Sequence, residues 1–229
     1  MVNHLPWLMA ACCAIGAFTG WFGEETALRW TPHIKYRPSR RARWVTSLLS
    51  IVLFLALALR FGFTETLPGY LFLAASGTIL SRIDLKTKLL PNRIVWSAFW
   101  IGAGLLTLAS GTAHSWPNLA RAGLGALILF SLYLFLALIS PAGLGMGDVK
   151  LAAVLGMYSA YISWGTLFVT GFLGFLLGAI VALIVAVLGQ GRRHTTFPFG
   201  PSMFGGAMIS ILGSAKIVPF LFPLLPTGY

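Results

Sequence analysis

An all-α bundle of about eight membrane-crossing helices is the fold that this sequence predicts, and three observations predict it. Apolar residues make up 58% of the chain and charged residues only 9%, about a third of the roughly 25% charged content of soluble domains. Apolar runs long enough to cross the hydrocarbon of a bilayer, roughly 17 to 25 residues each, recur almost back to back along the 229 residues. Gly, Pro and charged clusters punctuate those runs and leave no room for a soluble domain between them, so residues 1–229 read as a single integral membrane domain.

The first span covers residues 5–22; no Lys or Arg precedes it and no small-residue cleavage pattern follows, so it reads as a permanent helix rather than a secretory signal. Cys12 and Cys13, the only cysteines, are neighbours inside it. Adjacent cysteines bridge only with strain, and no further ligands at zinc spacing accompany them, so they read as buried thiols. The next spans are expected near 44–63, 67–83, 93–110 and 122–142. A short one follows at 149–162, separated from 165–188 by Ser163-Trp164-Gly165, and the last runs over 201–224.

Charge sets the orientation. Loops after the odd-numbered spans hold thirteen basic residues: Arg29, Lys35, Arg37, Arg40, Arg41, Arg43, Arg82, Lys86, Lys88, Arg93, Lys150, Arg192 and Arg193. The opposite loops hold only Arg60 and Arg121. The positive-inside rule therefore places the odd-numbered loops in the cytoplasm and both termini outside. The net charge of +11 is a topology signal; its basic residues are not interleaved with aromatics on a polar face, and nucleic acid is not expected as a partner. The loop with Arg37, Arg40, Arg41 and Arg43 also suits anionic lipid headgroups.

Against this background the acidic residues stand out, because there are only five. Asp84 ends the third span and Asp148 begins the sixth, so both carboxylates are expected at the cytoplasmic boundary, 64 residues apart in sequence but level in depth. Carboxylates beside hydrocarbon mark chemistry more often than architecture. Two carboxyl groups brought together share a proton: the ionised one draws a proton from water and the protonated one donates to a carbonyl oxygen. Gly145 and Gly147, just ahead of Asp148, free the backbone to leave helical geometry and approach a neighbouring segment.

Structural readings compete with this one. Asp148 could serve as a helix N-cap, and Asp84 could pair with Arg82 or Lys88 in a wet loop. Intramembrane carboxylates also mark ion pathways, so a proton- or cation-coupled carrier is the alternative function; it would favour midplane sites and repeated broken helices, which the sequence lacks.

The segment Asp84-Leu85-Lys86-Thr87-Lys88-Leu89-Leu90-Pro91-Asn92, together with Gly145-Met146-Gly147-Asp148-Val149-Lys150-Leu151, resembles the two signature segments of the type IV prepilin peptidases, intramembrane aspartyl proteases of the Gly-x-Gly-Asp class. Phe197-Pro198-Phe199-Gly200-Pro201 resembles the element that opens their last span. The resemblance implies that Asp84 and Asp148 are the catalytic pair, with Gly145, Gly147, Lys150 and Pro91 in support and Pro198 to Pro201 near the site. It implies an enzyme of the bacterial inner membrane, without a cofactor. Its substrates would be prepilin- or pseudopilin-like precursors of pili or type II secretion systems, cut after a short basic leader on the cytoplasmic side. Many members of that family carry two Cys-x-x-Cys pairs after the first span, associated with N-methylation of the product. Here the loop from Gly23 to Arg43 has no cysteine, so peptidase activity alone is expected.

Other features are weaker. Gly174 and Gly178 form a small-xxx-small pair suited to close packing within the bundle or to homo-oligomerisation. The Pro198–Pro201 element reads equally as a simple helix start. The four histidines, at 4, 33, 114 and 194, show no metal spacing.

Overall fold

A computed structural model of the chain describes residues 5–29, 31, 38–139, 144–188 and 198–221. Among these residues the regular structure is entirely α-helical: α1 (Leu5–Arg29), α2 (Arg40–Phe61), α3 (Leu67–Thr87), α4 (Asn92–Thr112), α5 (Trp116–Ile139), α6 (Met146–Ile162), α7 (Trp164–Leu188) and α8 (Gly200–Leu221). The order and number of the expected spans are reproduced, and several helices overrun them, although α2 stops at Phe61, two residues short of its expected end, and the expected ends at 142 and 224 lie outside the described residues. A helix does not stop where hydrocarbon stops: α1 continues to Arg29, its last turns carrying Glu25, which pairs with Arg29 at 3.5 Å and with Arg43 at 2.8 Å. At the start of α5, Trp116, Pro117 and Asn118 precede the apolar run; proline is tolerated there because the first turn has no intrahelical N–H bonds to lose. The proposed break between the sixth and seventh spans is present at Ser163, whose extended backbone separates α6 from α7.

Six of these helices are long and apolar enough to cross a membrane. The exceptions are α3, which carries Arg82, Asp84 and Lys86 toward its end, and α6, which has 17 residues. They are the two helices that hold the aspartates.

The chain divides into two compact units, α1–α4 in one and α5–α8 with Lys88–Leu90 in the other. In the first, α1 packs on α2 and α3, and α3 on α2 and α4. Inside a bilayer, helices gain little from the hydrophobic effect against each other and associate through close van der Waals contact, which small residues permit. A Cβ placed on Gly20 would fall 2.4 Å from Ser47 Cα, and one on Gly16 would fall 3.1 Å from Ile51 Cα, so α1 and α2 meet backbone to backbone. Phe54, Leu57, Tyr70, Leu73, Leu80 and Ile83 fill the interior. Glu24, expected in a loop, lies instead in α1 and is fully buried.

In the second unit α6 is central, touching α5, α7 and α8. Outside Met146, Gly147, Asp148, Lys150 and Ala153 the whole helix is buried, including every residue from Val154 to Ile162. Its contact with α5 is built on glycine: a Cβ on Gly156 would lie 2.4 Å from the Gly125 carbonyl oxygen, and a Cβ on Gly125 would lie 2.1 Å from Ala160 Cβ. Arg121, expected in an outer loop, is within α5 and donates to the last carbonyls of α6, those of Ala160, Tyr161 and Ile162, the latter two at 2.7 Å. Those carbonyls have no intrahelical partner, and a guanidinium supplies donors and the positive charge that a helix C-terminus favours. Ser159 and Thr170 bond at 2.7 Å, and Ser210 donates to the Thr166 carbonyl at 2.8 Å, joining α6 to α7 and α7 to α8.

Candidate active site

Asp84 occupies the last turn of α3 and is 4% exposed. A wet loop is therefore not its setting; a carboxyl group this far from water is costly unless chemistry or partners compensate. Apolar Leu80 and Ile83 are buried beside it in the same helix. The helix ends just beyond at Lys88, a non-glycine residue with φ of 54°, in the left-handed region that few such residues adopt. Pro91 then sets the start of α4, its carbonyl accepting from Ile94 N at 3.0 Å and Val95 N at 3.1 Å.

Asp148 is built differently. The helix begins at Met146, ahead of the expected start at Val149, so Asp148 lies inside its first turn and is not the capping residue. Gly145 occupies the cap: its carbonyl accepts from Asp148 N at 3.0 Å and Val149 N at 3.3 Å, while its own N–H donates to Asp148 Oδ2 at 3.1 Å. That reciprocal pairing fixes the carboxylate over the positive end of α6, where negative charge is favoured. Lys150 is half-buried in the same turn, part of the helix and not of a loop.

The two glycines do not act as the sequence suggested. Gly145 is extended with φ of −83°, a conformation open to any residue, and Gly147 is helical, so neither is needed to leave helical geometry. Gly147 is required for space: a Cβ there would fall 2.7 Å from Leu90 Cβ. Close approach to a neighbouring segment was the correct part of the expectation, and Leu90, from the first signature segment, is that neighbour.

Pro198 and Phe199 lead into α8, with the Phe199 carbonyl accepting from Ser202 N at 3.1 Å and Met203 N at 3.2 Å. The element is thus a helix start, and Phe197 lies outside the described residues. It is also more than a start. The Phe199 ring lies against Gly178 of α7, with its centroid 6.3 Å from that of Tyr133 on α5 and 6.2 Å from that of Phe175. Gly174, one turn from Gly178, faces Met203 Cα and Tyr133 Oη, each 3.3 Å from where a Cβ would sit. The small-xxx-small pair is therefore occupied by contacts within this unit. Gly200 is buried and Pro201 half-buried in the first turn of α8.

Tyr133 is the residue that the sequence reading missed. It is 2% exposed, its ring beside that of Phe199 and its hydroxyl beside Gly174 of α7. The available signal was the only tyrosine of α5.

Asp84 belongs to the first unit and Asp148, Lys150, Gly145, Gly147 and Phe199 to the second. What the fold and these sites define is a multi-pass helical membrane protein with carboxylates at the ends of its two least membrane-like helices. The family model for the type IV leader peptidase family matches residues 71–183, which include both aspartates. The chain is similar to the prepilin leader peptidase/N-methyltransferase of Escherichia coli K12, 33% identical over 199 residues, covering 82% of this chain and 83% of that protein. The proteins of the same name from Aeromonas salmonicida and Pseudomonas aeruginosa are 32% and 34% identical, over 76% and 70% of this chain. The chain spans 57% and 54% of the length of those two relatives. No solved structure matches it. The chain belongs to the type IV leader peptidase family.

Proposed function

We propose that this protein is an aspartyl endopeptidase that removes the leader from prepilin- or pseudopilin-like precursors, with Asp84 and Asp148 acting together as general acid and general base. The observation that carries the reading is the placement of the two signature aspartates: one buried in the last turn of α3, the other fixed by Gly145 in the first turn of α6. In the reaction, the ionised carboxylate takes a proton from water as the water oxygen attacks the scissile carbonyl, and the protonated carboxyl donates to the carbonyl oxygen. Collapse of the tetrahedral intermediate breaks the C–N bond, and the amine leaves with a proton returned from the pair.

The asymmetry of thirteen basic residues against two supports a site facing the cytoplasm of a bacterial inner membrane, with both chain termini outside. The cysteine-free connection between α1 and α2 supports peptidase activity without N-methylation.

The experiment is co-expression of the full chain with a prepilin-type precursor. Asp84→Asn and Asp148→Asn are each expected to accumulate in the membrane and to cut at least ~100-fold more slowly, the scale of a lost general acid or base. Cutting at the wild-type rate by either variant refutes the assignment. Product mass tests the second part: an added methyl group on product formed by this chain alone would refute it.

A further inference from the structure

Beside the glycine contact that joins α1 to α2 lies a groove of about 400 Å³, walled by Phe18, Trp21 and Phe22 of α1 and by Trp44, Leu48 and Ile51 of α2. Phe18, Phe22, Trp44 and Leu48 are exposed. Trp21 meets Trp44 edge to face, with ring centroids 5.0 Å apart. The one hydroxyl in the lining, that of Ser47, donates to the Ala17 carbonyl at 3.2 Å. What remains is a hydrocarbon surface edged by indole rings.

One end of this groove is basic. Arg40, Trp44, Ser47 and Ile51, spaced by four, three and four residues, share one face of α2, and Arg41 stands two turns from Leu48 at the edge of that face. Arg40 and Arg41 are exposed, and neither forms an ion pair among the described residues. Arg29 and Arg43 share Glu25, at 3.5 and 2.8 Å. Four guanidinium groups therefore meet one carboxylate at this surface, since Glu24 is fully buried. Arg40 and Arg41 also stand in the first turn of α2 with no acidic residue beside them, against a helix dipole that favours anions there. Two residues that oppose their own helix point to a partner of negative charge supplied from outside it.

The groove between α5 and α7 makes the contrast. It has about 500 Å³ and equally apolar walls, but no charged residue lines it, so nothing there selects one lipid over another.

We propose that the α1–α2 groove is a binding site for an anionic phospholipid, one acyl chain lying along Trp21, Trp44 and Leu48 and the headgroup phosphate meeting Arg40 and Arg41. Arg40 is one turn beyond Trp44, about 6 Å along the axis, the step from chain to headgroup. Indole rings sit at that level of a membrane, and basic pockets between membrane helices hold anionic headgroups. The site stands or falls independently of the peptidase reading.

The test uses the full-length chain in phosphatidylcholine vesicles that contain phosphatidylglycerol, with one or the other lipid brominated to quench tryptophan. The quenching of Trp21 and Trp44, taken as the difference between wild type and Trp21→Phe/Trp44→Phe, gives the preference of the groove for the anionic lipid. Wild type is expected to prefer phosphatidylglycerol about tenfold or more, since each basic side chain near a headgroup contributes on the order of 1 kcal/mol. Arg40→Gln/Arg41→Gln should lower that preference about tenfold, with thermal unfolding in phosphatidylcholine alone no lower than wild type because the clash with the dipole is relieved. Arg192→Gln/Arg193→Gln, which removes the same charge elsewhere in the sequence, should leave the preference within about twofold. Equal quenching by both lipids in wild type would overturn the proposal without recourse to any arginine variant. An equal loss in the two double variants would overturn it as well, because net charge and not the groove would then be responsible. So would a preference abolished by inorganic phosphate at constant ionic strength, which would make the arginines a site for the free anion and not for a lipid.

Discussion

The ring of Phe199 fills the space that a side chain on Gly178 would take: a Cβ at Gly178 would fall 1.9 Å from Phe199 Cε2. This single contact couples the entry to α8 with the middle of α7, and through the neighbouring ring it reaches Tyr133 on α5. Gly178→Ala is expected to displace the ring and cost about 1–3 kcal/mol, the usual range for overpacking. Thermal unfolding in detergent measures it. Combining Gly178→Ala with Phe199→Leu should recover part of the loss, and a double variant no more stable than Gly178→Ala would contradict the contact.

Gly147 lacks room for a methyl group because of Leu90 Cβ, 2.7 Å from where its own Cβ would be. Gly147→Ala is accordingly expected to shift the first turn of α6 and lower cleavage at least ~10-fold, since small displacements of catalytic groups have effects of this size and larger. The obstruction is a Cβ, so Leu90→Ala should bring no relief, while Leu90→Gly should restore part of the activity. Equal rescue by both would show that the longer side chain, not its first carbon, is the obstacle.

Between α5 and α6 the obstruction is main chain, which cannot rotate away. A Cβ on Gly156 would sit 2.4 Å from the Gly125 carbonyl oxygen. Gly156→Val is expected to separate the helices and to reduce the amount of folded protein more severely than Gly178→Ala does. Monodispersity by size-exclusion chromatography in mild detergent is the readout, and a monodisperse Gly156→Val with wild-type melting would refute the register.

Arg121 holds three carbonyls at the end of α6 and also bonds Asn118 Oδ1 at 3.1 Å. Arg121→Met leaves those carbonyls without their donors and is expected to cost roughly 1–3 kcal/mol, the scale of buried acceptors left unsatisfied. Lysine keeps the charge but not the planar fork, so Arg121→Lys should recover less than half of that loss in the same unfolding measurement.

How much of this was legible beforehand depended on the kind of signal. Apolar runs and their punctuation identified all eight helices because the length needed to cross hydrocarbon is a strong constraint, but they placed α1 and α5 too short, since Glu24 to Arg29 and Trp116 to Arg121 continue a helix outside any hydrophobic pattern. Asp84 and Asp148 were visible because acidic residues are rare in this chain. The role of Gly147 was half legible: glycine signalled an unusual demand, and only the position of Leu90 distinguished lack of space from backbone freedom. Tyr133 was not singled out, because its contacts with Phe199 and Gly174 depend on how α5 packs in its unit, and the α5–α6 register is carried by Gly125 and Gly156, whose pairing no local pattern reveals. Arg121 was read as a loop cation for the same reason; its partners lie about forty residues away.

Because α6 is shrouded by α5, α7 and α8, it has no need to span lipid on its own, and with 17 residues it is shorter than each of the six helices that could. Its entry into the bilayer during synthesis is expected to draw on the helix made just before it, the glycine face of α5 offering the first protein surface it meets. Biogenesis and catalysis are thereby linked through the segment that delivers Asp148 to its place: a glycosylation reporter placed after Ser163 should show efficient translocation with native α5 and poor translocation when α5 is replaced by a polyleucine span of the same length, which keeps the orientation but removes the glycine face.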